Sequence, residues 1–195
     1  LSRPVPSEIT ISADGLSAET DPDDETDPAK LFAASKVAGT LTPNGNDLVW
    51  NGSFDDLLID PALTEGRQFP SLAGQANVTL ANGVTFLTDR PKSLRGQSFS
   101  IGNLALLAGE GRVSVSGPIS IDDAGLIDAA LEIKLANPPA ISAVLQAAIP
   151  EKASEIKSAF IGLGFLGPEP SIPFRIVKGK PMLLGFALGE IKPLR

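Results

Sequence analysis

The chain has no histidine, no cysteine and no tyrosine among its 195 residues. Histidine is the side chain that changes charge near neutral pH, and cysteine is a strong nucleophile and a soft metal ligand. Their absence excludes most familiar catalytic and transition-metal sites, so we predict that the protein is not an enzyme and needs no cofactor. It also rules out a disulfide framework, which leaves packing as the source of stability.

Positive charge and aromatic residues are scarce. Acidic residues outnumber basic residues by 23 to 16, the formal net charge is -7, and aromatic residues make up 5% of the chain. Domains that bind nucleic acid usually carry a basic stripe with interleaved aromatic residues. Nucleic acid is therefore not an expected partner, and adhesion to an anionic bilayer is disfavoured.

Long hydrophobic runs are missing as well. The best apolar run, Leu104–Ala108, is far shorter than the roughly 18 apolar residues of a membrane-spanning helix. The sequence begins with Leu1 rather than methionine, so we expect a fragment of a longer protein. Contact with a membrane is then expected only through an anchor upstream of this fragment.

Short runs of alternating apolar and polar residues are abundant, and many of the 19 Gly and 17 Pro lie between them. A period of two is typical of strands with one buried face. Asn-Gly pairs at 44–45 and 82–83 predict tight hairpins, and Asp14-Gly15 predicts another turn. The predicted strands are 8–13, 36–42, 48–54, 76–80, 84–88, 98–102, 103–106, 112–116, 118–121, 127–135, 171–177 and 181–189.

The period changes at Asn137-Pro138-Pro139. Asparagine is a good N-cap and proline is tolerated in a first helical turn, so this tripeptide predicts the start of a helix. Pro150 ends that helix and opens a second, which the glycines from Gly162 onwards end. We therefore predict a mainly β (α+β) fold, in which two short helices near residues 139–163 pack on a curved antiparallel sheet or incomplete barrel. Its concave face or open end is the expected position of the helices.

The length fits a single β-rich domain over residues 1–195, with a candidate sub-boundary near 90–95. A run of acids between two prolines predicts a mobile surface loop near 19–30. Calcium takes carboxylate oxygens, so this run is also the candidate metal site, although Thr26 and Phe32 stand where an EF-hand needs glycine and an acid. We favour a solvated loop and expect no metal. The acids are Asp21, Asp23, Asp24, Glu25 and Asp27.

Two pairs of adjacent carboxylates, at 55–56 and at 122–123, raise the hypothesis of a carbohydrate hydrolase. Neighbours on a strand point to opposite faces, and acids in a turn usually bind nearby backbone. These structural roles are therefore favoured over catalysis.

An apolar strand face is the remaining candidate for binding. Ile127, Leu131, Ile133 and Leu135 share one face of a predicted strand, and Phe160 lies on the apolar face of the second predicted helix. Such residues can line a groove for an acyl chain or a hydrophobic peptide. The favoured alternative is that they fill the core of the same chain.

The C-terminal half, about residues 95–195, carries a recognisable pattern. It has the run Val115–Ala129, a helical pair, a Lys-Gly turn with Leu183-Leu184-Gly185, and an ending Leu-Gly-x-Ile-x-Pro-Leu. This pattern resembles a family of Gram-negative envelope proteins catalogued as domain of unknown function 2125. The resemblance implies an N-terminal membrane anchor and a β-rich body in the periplasm, in the style of AsmA-like envelope proteins. It brings no catalytic residues.

We therefore expect a non-catalytic module of the periplasm or cell envelope that binds or shields a hydrophobic ligand such as lipid, or that supports cell-envelope assembly. An envelope protein is the other expected partner. The alternative is a structural or adhesion-type domain that pairs through exposed strand edges. A carboxylate-based carbohydrate hydrolase is the least favoured of the three hypotheses.

Overall fold

A computed structural model describes residues 7–19, 30–64, 66–89, 93–183 and 185–194. The five acids of the predicted mobile loop fall within 20–29 and lie outside the described residues, as do 90–92 of the candidate sub-boundary. The described chain forms ten strands, three α-helices and two single-turn 3-10 helices at 61–64 and 150–152. The strands are β1 (Ile9–Glu19), β2 (Lys30–Asn44), β3 (Asp47–Ile59), β4 (Leu72–Leu80), β5 (Ser98–Ala108), β6 (Gly111–Ile121), β7 (Ile127–Ala136), β8 (Ser171–Val177), β9 (Lys180–Leu183) and β10 (Phe186–Ala187). The helices are α1 (Gly83–Asp89), α2 (Pro138–Ala148) and α3 (Ala153–Gly164).

Each described strand pairs antiparallel with the next one along the chain, so the sheet runs in the order β1 to β10. The two end strands lie at opposite edges, and the sheet is not closed into a barrel. The prediction of a mainly β, antiparallel fold is confirmed, with the open sheet as the correct form.

The register gives the sheet one apolar and one polar face. Successive side chains of a strand point to opposite faces, so residues that are paired across strands share a face. One row across β1 to β8 is Ile11, Gly39, Gly52, Ala76, Leu104, Val115, Ile133 and Ile172. The neighbouring row on the other face is Ser12, Ala38, Ser53, Gln75, Ala105, Ser114, Lys134 and Ser171.

The two predicted helices are confirmed as α2 and α3. Asn137 adopts a left-handed conformation and accepts a hydrogen bond from the Ala140 N–H, with prolines in the first turn of α2. A 3-10 turn that begins at Pro150 leads into α3. Both helices pack on the apolar face, where they form a core around Leu135, Ile141 and Ile172. The partly buried members of this core are Val113, Ile133, Leu145, Phe160, Leu163 and Leu183.

The predicted strand at 84–88 is wrong, because these residues belong to α1. The edge of β4 that such a strand would need is occupied by β5, which pairs with it as far as Leu80 and Phe99. The chain instead turns back over the β2–β3 hairpin. There Asn82, at a φ of 53°, donates its N–H to Asp47 Oδ1 at 2.9 Å.

The predicted turn at Asp14-Gly15 is also wrong, since β1 continues to Glu19. Gly15 has a φ of 73°, the left-handed conformation that favours glycine, but pairing with β2 resumes directly after it. Residues 98–102 and 103–106, predicted as successive strands, form the single strand β5. A bulge beside Gly102 shifts the register there by one residue.

Asp122 contacts residues of two different turns. Its Oδ1 accepts a hydrogen bond from the Leu126 N–H at 2.8 Å within the β6–β7 turn. Its Oδ2 lies 3.1 Å from the Lys178 ammonium in the β8–β9 turn, and Asp128 lies 3.6 Å from the same ammonium. The Leu126 backbone bond and the Lys178 contact lower the pKa of Asp122, while the Asp122 carboxylate raises the pKa of Lys178.

We expect Asp122→Asn to lower the free energy of unfolding at neutral pH. A carboxyl whose pKa is lowered by folding stabilises the protein above its unfolded pKa of about 4, and this contribution disappears as the pH falls through the lowered value. Urea unfolding as a function of pH should therefore show the variant and the parent converging in acid. Asp123→Asn, which removes neither bond, is the control, and a difference that persists in acid would contradict the assignment.

Candidate functional site

A groove of about 520 Å³ runs across the apolar face on β2 to β6, beside the part that the helix pair covers. Leu104 and Leu106 on its floor are 45% and 44% exposed. The side chains and backbone that line it belong to Val37, Ala38, Trp50, Gly52, Ser53, Phe54, Gly74, Gln75, Ala76, Leu104, Ala105, Leu106, Val113 and Val115. We call this surface the open apolar groove. None of these described residues carries a charge.

An indole ring lies over two glycines in this groove. Gly39 and Gly52 are paired across β2 and β3, and the ring of Trp50 occupies the space that a Cβ of either residue would need. At Gly52, the Trp50 Nε1 lies 2.7 Å from that Cβ position. The ring therefore covers backbone that glycine would otherwise leave bare, a recognised way to stabilise glycine within a sheet.

A second aromatic ring repeats the arrangement on the next strand pair. Phe54 is paired with Gly74 of β4, and its ring fills the place of a Gly74 side chain. Two aromatic rings thus lie against the sheet, with no side chain between ring and backbone. Such surfaces are apolar and well suited to contact with hydrocarbon.

Four of the five residues predicted as a groove lie on the apolar face of β7, and the fifth, Phe160, lies on α3. Leu135 is buried in the core, and Ile133 and Phe160 pack against that core. Ile127 and Leu131 are half-buried on β7. None of the five lines the open apolar groove, and their part in ligand binding stays a prediction.

The sequence analysis did not place a groove on β2–β6, although the sequence contains a pattern that indicates one. In the stretch Trp50-Asn51-Gly52-Ser53-Phe54, two aromatic residues and a glycine share one face of a strand. Glycines are costly in strand interiors, so their pairing with aromatic neighbours indicates a covered backbone. That pattern locates the groove once the register is known.

The acid pairs at 55–56 and 122–123 have structural contacts. Asp56, at a φ of 50°, accepts a hydrogen bond from Ser35 Oγ at 2.9 Å, and Asp122 binds backbone as described. Among the described residues, no three carboxylates come together in a way that could hold a metal ion. No helix in the described part of the chain is long and apolar enough to cross a membrane.

A protein-family model described as "Uncharacterized protein conserved in bacteria (DUF2125)" matches residues 1–192. The chain belongs to this family. The match extends the resemblance, placed above in the C-terminal half, across the first half and hence across the strands of the open apolar groove. No curated protein and no solved structure gives a significant match to this DUF2125 member.

We expect Gly39→Ala to destabilise this DUF2125 chain by about 1–3 kcal/mol, because the new methyl group needs space that the Trp50 ring occupies. Displacement of the ring should also shift the emission of Trp50, the single tryptophan. Urea unfolding followed by fluorescence measures both effects. Gly162→Ala is the control, since that helical position is open and alanine favours helices. Equal stability of the parent and Gly39→Ala would contradict the contact.

Leu135→Ala should cost about 2–5 kcal/mol in the free energy of unfolding, because the side chain is buried beneath the helices. Leu104→Ala should cost at most about 1 kcal/mol, since Leu104 keeps 45% of its surface in water. Chemical denaturation of both variants checks this difference. Equal losses would mean that the open apolar groove is as well packed as the core.

Proposed function

We propose that this DUF2125 member is a non-catalytic module of the bacterial cell envelope that binds the acyl chain of a lipid in the open apolar groove. The observation that carries this proposal is a concave, uncharged surface with half-exposed leucines and two aromatic rings on its floor. Ligand pockets are mostly apolar and concave, and contiguous exposed apolar patches commonly mark binding sites.

The dimensions of the groove support an acyl chain. Neighbouring strands are about 4.8 Å apart, so the four steps from β2 to β6 span roughly 19 Å. The hydrocarbon region of one bilayer leaflet is about 15 Å thick, which is half the thickness of the bilayer core. An acyl chain of about this length therefore fits across the strands, along Trp50 and Leu104.

The absence of reactive groups supports a binding role. The chain has no histidine or cysteine, and the acid pairs considered for hydrolysis include Asp56 and Asp122, which are engaged in hydrogen bonds. The envelope location rests on the resemblance to Gram-negative envelope proteins, and the matching family is described as conserved in bacteria.

Strand-edge pairing is a second candidate, favoured by the contrast between the two sheet edges. β10 has two residues, whereas β1 has eleven; β1 contains no lysine, arginine or proline, and its charged residues are Asp14 and Glu19. Natural proteins usually protect long edges with such residues. A partner strand on β1 would leave the open apolar groove unchanged, so variants in the groove separate the two functions.

The single tryptophan gives a direct test of acyl-chain binding. Trp50 lines the groove, so a fatty acid brominated along its chain should quench its fluorescence on contact, with saturation. Leu104→Glu should weaken this binding at least about tenfold, because binding would bury an unpaired charge. Ser100→Glu, on the polar face of the same strand, is the matched control and should bind like the parent.

Two outcomes would overturn the proposal. One is the absence of saturable quenching in the parent, and the other is equal quenching in Leu104→Glu and the parent. Circular dichroism of each variant checks that the sheet is intact.

A further inference from the structure

The end of α3 and the residues that follow it form a second apolar surface. Ile161, Phe165 and Leu166 are 59%, 88% and 58% exposed. Residues 158–168 contain no charged side chain. Large apolar side chains that project into water in one short segment are typical of a contact site for an apolar partner.

This surface, which we call the α3 tip, borders a groove of about 910 Å³ between α2 and α3. Ile161 belongs to both the α3 tip and the groove. The groove residues are Asn137, Pro138, Pro139, Ser142, Gln146, Lys157, Phe160, Ile161, Gly164, Gly167, Pro168 and Glu169. An apolar surface thus continues directly into a cavity with polar groups.

The charges of this cavity are one cation and one anion, Lys157 and Glu169. Within the described part of the chain, neither side chain forms a salt bridge. The headgroup of a zwitterionic phospholipid carries a phosphate and an ammonium group. Lys157 complements the phosphate and Glu169 complements the ammonium.

We propose that the α3 tip docks this protein on a zwitterionic phospholipid bilayer, with Phe165 and Leu166 in the acyl region and one headgroup between Lys157 and Glu169. Amphipathic elements bind membranes by burying apolar side chains at the headgroup boundary. This inference rests on the proposed function, because the bilayer is the source of the acyl chain that the open apolar groove receives. It departs from the expectation, drawn from the sequence, that membrane contact occurs only through an upstream anchor.

Flotation with phosphatidylcholine vesicles tests the docking. The parent should float with the vesicles, and Phe165→Ser and Leu166→Ser should each weaken binding at least about tenfold, since each removes a large apolar side chain from the acyl region. These positions are exposed, so the variants should fold normally. Phe186→Ser is the matched control, because Phe186 is 74% exposed on β10, outside the α3 tip, and should bind like the parent.

Charge exchange tests the headgroup site. Lys157→Glu and Glu169→Lys should each reduce vesicle binding. The double exchange should restore binding, because the cavity then again holds one cation and one anion.

Failure of the parent to float, or undiminished flotation of Phe165→Ser, would overturn the docking proposal. So would loss of self-association in Phe165→Ser, measured by sedimentation, since a second copy would then cover the α3 tip.

The experiments distinguish failure of membrane docking from failure of acyl-chain binding. Quenching of Trp50 by brominated fatty acid in solution needs no vesicle, so Phe165→Ser should leave it unchanged. Normal quenching without flotation would overturn the membrane docking alone. Flotation without quenching would overturn acyl-chain binding in the open apolar groove.

Discussion

The period of two along paired strands is the constraint on which the rest of this molecule depends. A slip of one residue in the pairing of any two strands would move apolar side chains to the polar face, so the register must be kept across the whole sheet. It holds from Ile11 on β1 to Ile172 on β8. The bulge near Gly102 is part of this arrangement, because it lets both Ile101 and Leu104 reach the apolar face.

The helices divide that face into two regions with different physical properties. Where α2 and α3 cover it, branched side chains such as Leu135 and Ile172 form a core. Beyond the helices the face has glycines and alanines, and aromatic rings lie against the backbone in place of a covering layer. The buried contacts that stabilise the fold thus lie in the covered region, whereas the other region keeps exposed apolar surface. Only the uncovered region is therefore accessible as the proposed binding surface.

Local signals predicted much of the fold. The Asn-Gly pair at 44–45 forms the β2–β3 hairpin, Asn137 caps α2, and the alternation in β7 matches its burial. The wrong predictions lie where contacts between distant parts of the chain determine the local structure. At α1, for example, β5 already occupies the edge of β4 that a further strand would need. The candidate site depends on the same context. Sequence shows that β3 and β7 both have an apolar face, but only the packed structure shows which of them the helices cover.

The meander order of the strands has a kinetic consequence. Every described strand pairs with its neighbours along the chain, so the pairings that build the sheet have small sequence separations compared with those of Greek-key folds. Rates of folding rise as contact order falls, because less loop entropy is lost before each pairing forms. Such a sheet can assemble hairpin by hairpin while the chain is still being synthesised, with each completed strand serving as the template for the next.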